Sequence, residues 1–336
     1  MEEKPLIDLS DSHCHFHPEA TFEDAHKFAA ILNNSNSSKY FFHLMTTQHI
    51  DLECMDILLE NLKEKNLIVP YFGVHPWFSH LFYLGSEKPS KIDHYNSVLK
   101  PPPTKELLSQ LPEPLSLLER FNRILELVAK YDLQKYGIGE IGLDKLFRVP
   151  KTGFLGNPNC KEEEKEQQLE KEQPEKEEKL SPSKVTLAHQ KEIFRHQLDF
   201  ANRVQKQVSI HCVKAHGALF DEVKKYPLLR VLLHSYTGSI DQAKLWIRTY
   251  PRDKLFFSFS NWINGEREES LKLLINELDA RQILTESDIY VDKLFIQNKR
   301  EEYLNHLLGI YQKLNQYIDF DSLQVKANML TSINAI

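Results

Sequence analysis

Eight short apolar runs recur along the chain: LIDLSDSHCH, YFFHLMTT, LIVPYFGVHP, KYGIGEIGLD, QVSIHCVKA, RVLLHSYTGS, KLFFSFSNWI and RQILTESDIY. Most end in a polar, histidine- or acid-bearing stretch, and runs of this length read as buried strands. Segments with a helical pattern lie between several of them, among them MDILLENLKEKN, LSLLERFNRILELVAKYD, HQKEIFRHQLDFANRVQ and EESLKLLINELDA. In the third, Phe194, Leu198 and Ala201 recur at spacings of four and three, giving one apolar stripe. Repeated alternation of strand and helix predicts an α/β protein with parallel strands, most simply a closed (β/α)8 TIM barrel built from residues 1–336 as one domain.

Two stretches break the rhythm. Residues 79–114, with KPPPTK and LPEPL, read as an inserted loop. Residues 145–183 read as a low-complexity insertion, with nine Glu and five Lys between Lys161 and Lys179. Such a run cannot bury apolar surface, so solvated disorder is expected. Each insertion follows a strand and precedes a helix, which in a barrel places both at the C-terminal face beside any active site. A lid or a partner-binding arm are the alternatives for the charged one.

Composition narrows the class only a little. Of 336 residues, 41% are apolar, enough for a sizeable core. The formal net charge is −6, and the Glu/Lys run supplies about −4 of it, so the sign of the charge says little about the substrate. Cys14, Cys54, Cys160 and Cys212 form no C-x-x-C pair and suggest no disulfide framework. The start, MEEKPLIDLS, does not read as a signal peptide, and no apolar run approaches the roughly 18 residues of a membrane span. The expected location is cytoplasmic or nuclear.

The candidate chemistry sits at strand ends. In DSHCHFHPEA, His13 and His15 fall two apart, so a strand would point both at one place. A metal needs that arrangement; a histidine-rich surface strand is the plain alternative. His75 ends the third run, Glu140 and Asp144 lie in the fourth, and His211, His234 and Asp288 end the fifth, sixth and eighth. Repetition at equivalent places on several strands is hard to explain by packing, because buried charge is costly without a partner. Imidazoles with carboxylates suit Zn²⁺, Mn²⁺, Co²⁺ or Fe²⁺, and Mg²⁺ less as histidines accumulate. The number of donors allows two ions about 4 Å apart, with Glu140 able to bridge and Asp288 able to accept a proton from water. Cys14 and Cys212 adjoin these residues, but alternation turns them away. Asp144 and Glu286 read as supporting groups, and His17 as a surface histidine. Trp77, Phe78 and Trp262 follow strand ends and could stack on bases or simply pack.

The motifs DSHCH, GVHP, GIGEIGLD, SIHCVKA, LLHSYTGS and LTESD, in this order and spacing, resemble those of TatD-related metal-dependent hydrolases. The resemblance runs from Asp11 to about Asp288. It implies a (β/α)8 barrel of the amidohydrolase-like group and a deoxyribonuclease or phosphodiesterase acting on DNA; the acidic surface and the aromatics suggest single strands or ends as its substrate. It also implies divalent metal ions, Mg²⁺, Mn²⁺ or Zn²⁺, and the donor count suits two of them. Matched motif to motif, His13, His15, Glu140, His211, His234 and Asp288 would be the metal ligands, with Glu140 and Asp288 catalytic. His75 would contact substrate phosphate, and Trp77 and Lys214 are the other expected substrate contacts. Two positions depart from the family pattern: Val213 stands where an arginine is usual, and Ile289 where a proline is. Two rival readings use the same residues. One is an amidohydrolase-type enzyme on a small cyclic amide or ester; the other is a barrel serving as a protein-interaction module through residues 145–183.

Overall fold

The computed structural model describes residues 10–34, 41–158, 179–319 and 321–333. Each of the eight apolar runs contains a strand: β1 (Asp11–His15), β2 (Phe42–Met45), β3 (Ile68–Tyr71), β4 (Ile138–Asp144), β5 (Val208–Val213), β6 (Val231–Leu233), β7 (Leu255–Ser260) and β8 (Ile283–Glu286). All their pairings are parallel, in the order β1-β2-β3 and β4-β5-β6-β7-β8. Two seams join these sheets. Tyr71 pairs with Gly137, and His15 pairs with Tyr290 just beyond β8. Across the second seam the amide of Asp288 donates to the His13 carbonyl at 2.9 Å, and that of His15 to Ile289 at 3.0 Å. The sheet therefore closes into the expected (β/α)8 barrel.

Among the described residues the helices are α1 (Phe22–Asn34), α2 (Asp51–Asn61), α3 (Lys91–Val98), α4 (Lys105–Gln110), α5 (Leu117–Lys130), α6 (Leu187–Val204), α7 (His216–Val223), α8 (Ile240–Thr249), α9 (Glu268–Ile275), α10 (Val291–Ile296), α11 (Arg300–Leu314) and α12 (Ser322–Ile333). Strand alternation sorts the core into two parts. Outward residues such as Cys14, Leu44, Ile141, Ile210, Leu233 and Phe257 join the apolar layer under the helices. Inside the barrel, Leu232, Phe256 and Leu284 pack with Met329, and Met45, Val69 and Tyr71 with Ile333. Thus α12 plugs the end of the barrel opposite the histidines, and Asn328 fastens it by donating to the carbonyls of Ala280 and Ile283.

Residues 79–114 are not a plain loop: they carry α3 and α4. Ser90 caps α3 by accepting from the Asp93 amide, and Thr104 caps α4 by accepting from Leu107. At eight and six residues, these helices are too short to show a period among prolines. The segment is tied to its surroundings through histidines. His189 Nε2 meets the Ser79 carbonyl at 2.9 Å, His94 Nε2 the His80 carbonyl at 2.8 Å, and His80 Nε2 the Gly153 carbonyl at 3.0 Å. Gly153 belongs to the 145–183 segment, whose Glu/Lys-rich centre lies outside the described residues. Its two flanks pair with each other, Pro150 bridging to Leu180 and the Val149 amide donating to Ser183 at 2.9 Å.

Candidate metal centre

The inward positions at the C-terminal ends of the strands converge on Glu140. Its Oε2 lies 3.3 Å from His13 Nε2 and 3.4 Å from His15 Nε2. Its Oε1 lies 2.7 Å from His234 Nε2, 3.0 Å from His211 Nδ1 and 3.3 Å from His75 Nε2. Asp288 closes one side, with Oδ1 3.1 Å from His15 Nε2. The six residues expected as ligands are thus brought together, and His75 sits as near the central carboxylate as they do. Asp288 (φ 54) and Ser235 (φ 37) adopt left-handed backbone, a conformation that residues other than glycine hold only where surroundings impose it.

A further set of contacts fixes these side chains. Ser209 Oγ engages His13 Nδ1 at 2.9 Å, which turns Nε2 to the centre. Asp144, the other acid of β4, accepts from Trp77 Nε1 at 2.7 Å and lies 3.5 Å from His211 Nε2. Glu286 accepts from the Ser235 amide at 2.7 Å and from the Ser258 hydroxyl, and faces His234 Nδ1 at 3.5 Å. Each acid thus meets a histidine of the centre, Asp144 meeting His211 and Glu286 meeting His234. Cys14 points outward and donates to the His43 carbonyl. His17 lies beyond the strand end, against Tyr290 and Lys293.

Close approach of backbone makes the convergence possible. A Cβ on Gly142 would fall 2.0 Å from the His211 carbonyl oxygen, so only glycine lets β4 lie this near β5. The pairing registers Gly142 opposite His211 and Asp144 opposite Val213.

The donor set fits a divalent cation. Three clusters each bring three donor atoms within 4.8 Å of one another: His13–His15–Asp288, His75–Glu140–His211 and His13–His234–Glu286. Among the described residues His15 Nδ1 is buried without a hydrogen-bond partner, and His13 Nε2 and His234 Nδ1 face the carboxylates of Glu140 and Glu286 at 3.3 and 3.5 Å without a well-directed hydrogen bond. Burial, reinforced by the field of His234, pushes His13 down to about 3, so its ring is neutral and offers a lone pair. Burial works to raise the Glu140 carboxyl, but the surrounding imidazoles, His75 and His234 foremost, hold it well below the usual range. Burial likewise opposes charge on His234; Glu140 and Glu286 outweigh it and raise that ring well above its ordinary value. A proton and a metal ion therefore compete for the same place.

Above the centre opens a cavity of about 360 Å³, walled by Phe16, Trp77, Phe78, Leu155, Trp262 and Tyr290. Val213 lines it, kept inward by alternation; Lys214, exposed and in left-handed backbone (φ 53), is not among the lining residues. Leu155, from the flank of the charged insertion, was not foreseen, because nothing in an irregular GFLGN stretch marks an inward residue. Tyr290 was also missed, although its place two residues after Asp288 signals proximity. A hollow of about 520 Å³ lined by Tyr311, Tyr317, Asp319 and Asp321 among others has acids but, among the described residues, no histidine or cysteine.

A (β/α)8 barrel with imidazoles and carboxylates gathered at the C-terminal strand ends defines a metal-dependent hydrolase of the barrel type. The TatD-related DNase family model matches residues 10–333, and the chain belongs to that family, whose members are metal-dependent hydrolases acting on ester bonds. It is 35% identical over 320 residues to an uncharacterized deoxyribonuclease of Saccharomyces cerevisiae, covering 92% of this chain and 91% of the relative. It is 28% identical to a Cut9-interacting protein of Schizosaccharomyces pombe, over 83% of this chain and 86% of the other. Two solved structures share the fold: the TatD homologue YjjV of Escherichia coli and a TatD-family hydrolase of Entamoeba histolytica, both with TM-score 0.54. Identities are 15% and 13%, with 97% and 96% of this chain covered and 96% and 97% of theirs. Among the described residues no helix is long and apolar enough to cross a membrane.

Proposed function

We propose that the centre hydrolyses phosphodiester bonds at the ends of single-stranded DNA. One observation carries the reading: a buried carboxylate, Glu140, shared by five imidazoles, with a second carboxylate, Asp288, at the edge facing the cavity. His13, His15, Glu140, His211, His234 and Asp288 would hold divalent cations, and the number of donors suits two of them. A cation there supplies Lewis acidity toward a phosphoryl group and toward water. Asp288, which lines the cavity and is the more exposed of the two carboxylates, accepts the proton that water gives up. His75, against the cavity and hydrogen-bonded through Nδ1 to the Trp77 amide at 3.2 Å, orients the phosphate. A mouth of this size takes an end or an unpaired strand, and a duplex does not enter it. The S. cerevisiae relative, named as a deoxyribonuclease, supports the reading.

The test is a time course on end-labelled single-stranded DNA after chelation and return of Mg²⁺, Mn²⁺ or Zn²⁺. Digestion is expected with metal and at least about 100-fold less in Glu140→Gln. Digestion that survives chelation, or is equal in the variant, refutes the assignment.

The name of the S. pombe relative favours a second role, protein interaction through residues 145–183. A chain lacking 159–178 that loses a partner while still hydrolysing its substrate would separate the two.

A further inference from the structure

The cavity above the centre is built to hold a ring more than a charge. Among the described residues, none that line it is a lysine or arginine, and Val213 occupies an inward place beside the centre. A strand held only at its reacting phosphate would bind weakly, because phosphate affinity comes from neutralising cations. The walls supply something else. Trp77 follows β3 and Trp262 follows β7, strands that stand four apart in an eight-stranded ring and so lie on opposite sides of the mouth.

The two indoles are prepared differently. Trp77 is immobilised: its N–H donates to Asp144 at 2.7 Å, and Phe147 stacks on it with centroids 5.1 Å apart and planes 12° from parallel. Trp262 is 58% exposed, an unusual state for an indole at the lip of an apolar cavity. We infer that Trp77 and Trp262 form the two faces of a clamp for one planar base, so that the terminal nucleotide is selected by stacking and not by charge. This rests on the phosphodiesterase reading above. Every base has a π-face, so the clamp tolerates sequence but rejects an end without a base.

The experiment uses the full chain with Mn²⁺ and two single-stranded oligonucleotides, one ending in a normal nucleotide and one in an abasic tetrahydrofuran residue, at each end in turn. Wild type is expected to cleave the normal end roughly 5- to 100-fold faster in kcat/KM, the range that stacking supplies. In Trp262→Ala that ratio falls toward one through KM, and Trp262→Phe restores most of it. A second readout needs no turnover: binding of deoxyadenosine monophosphate against deoxyribose 5-phosphate. Both are read by titration calorimetry, since Trp262→Ala would remove a fluorescent reporter; tighter binding of the base-bearing ligand, lost in Trp262→Ala, supports the clamp even if no DNA is cleaved, which would refute the phosphodiesterase reading alone. A cleavage ratio unchanged in Trp262→Ala, or equal binding of the two ligands to wild type, overturns the clamp.

Discussion

Asp144 and Trp77 are joined by a 2.7 Å hydrogen bond from the indole nitrogen to Oδ2, and the same oxygen lies 3.5 Å from His211 Nε2. One carboxylate thus sets both a wall of the cavity and the orientation of a histidine at the centre. Its pKa reflects the double duty: burial would raise it, but the His211 contact and the Trp77 bond hold it well below the usual range. Outer groups of this kind typically govern metal affinity by 10- to 100-fold. Asp144→Asn is therefore expected to weaken Zn²⁺ or Mn²⁺ binding by about that factor, measured by competition with a chromophoric chelator, with the melting temperature of the apo protein little changed. Unaltered affinity would show that Asp144 serves only the wall.

Gly142 and Gly217 offer a matched pair. A Cβ at 142 would meet the His211 carbonyl oxygen at 2.0 Å, whereas one at 217, in α7, meets nothing within 4 Å. Gly142→Ala must push β4 from β5 beneath the centre, and a loss of more than about 4 kcal/mol is expected, read as insoluble or unfolded protein. Gly217→Ala removes only backbone freedom from a helix and should be neutral or stabilising by up to about 1 kcal/mol. Denaturant unfolding of the two variants decides it.

The contrast explains what could be read without coordinates. The strands were legible because inward and outward residues alternate and because six of them end in groups that only a shared centre would tolerate. His13 and Ser209, far apart in the chain, illustrate the limit: the need for a partner is legible, but not its identity. The helices α3 and α4 were hidden by prolines and by their shortness, though the Ser90 and Thr104 caps were present in the sequence. The plug formed by Met329 and Ile333 was invisible for another reason. A helix that closes the barrel base is selected by the shape of the hole, and no local pattern records that.

Two buried groups give stability opposite responses to pH. Burial pushes the Asp292 carboxyl up to about 7, despite the amides of His17 and Lys293 that favour its charge. Its contribution is complete below the ordinary value of 3.8 and is lost as pH rises through 7. Burial pushes His80 down to about 3, against the pull of the Gly153 carbonyl. Its contribution is complete above 6.5 and is lost as pH falls toward 3. Relative to wild type, Asp292→Asn should gain stability between pH 4 and 8, by no more than about 4 kcal/mol. His80→Gln should gain instead on the acid side, below about 6.5. Urea melts at pH 4.5, 6.5 and 8 test both signs, and a parallel shift of either variant at every pH would contradict them.

Salt offers the sharpest test of how the cavity holds its substrate. For single strands, each phosphate neutralised by a lysine or arginine steepens the log–log dependence of affinity on salt by about 0.7. Among the described residues, none that line the cavity is a lysine or arginine, and Lys214 is exposed outside that lining. The apparent affinity for a single-stranded oligonucleotide, read as 1/KM between 50 and 300 mM KCl, should therefore fall with a slope no steeper than about −1. Lys214→Ala should change KM by less than about twofold, since an exposed cation beyond the rim acts through a screened field. A slope near −3, or a tenfold rise in KM in that variant, would mean that the strand runs on over the outer surface and is gripped there by charge. A shallow slope would leave the bound phosphate at the centre and the stacked base as the only strong contacts, so that affinity would not grow with oligonucleotide length.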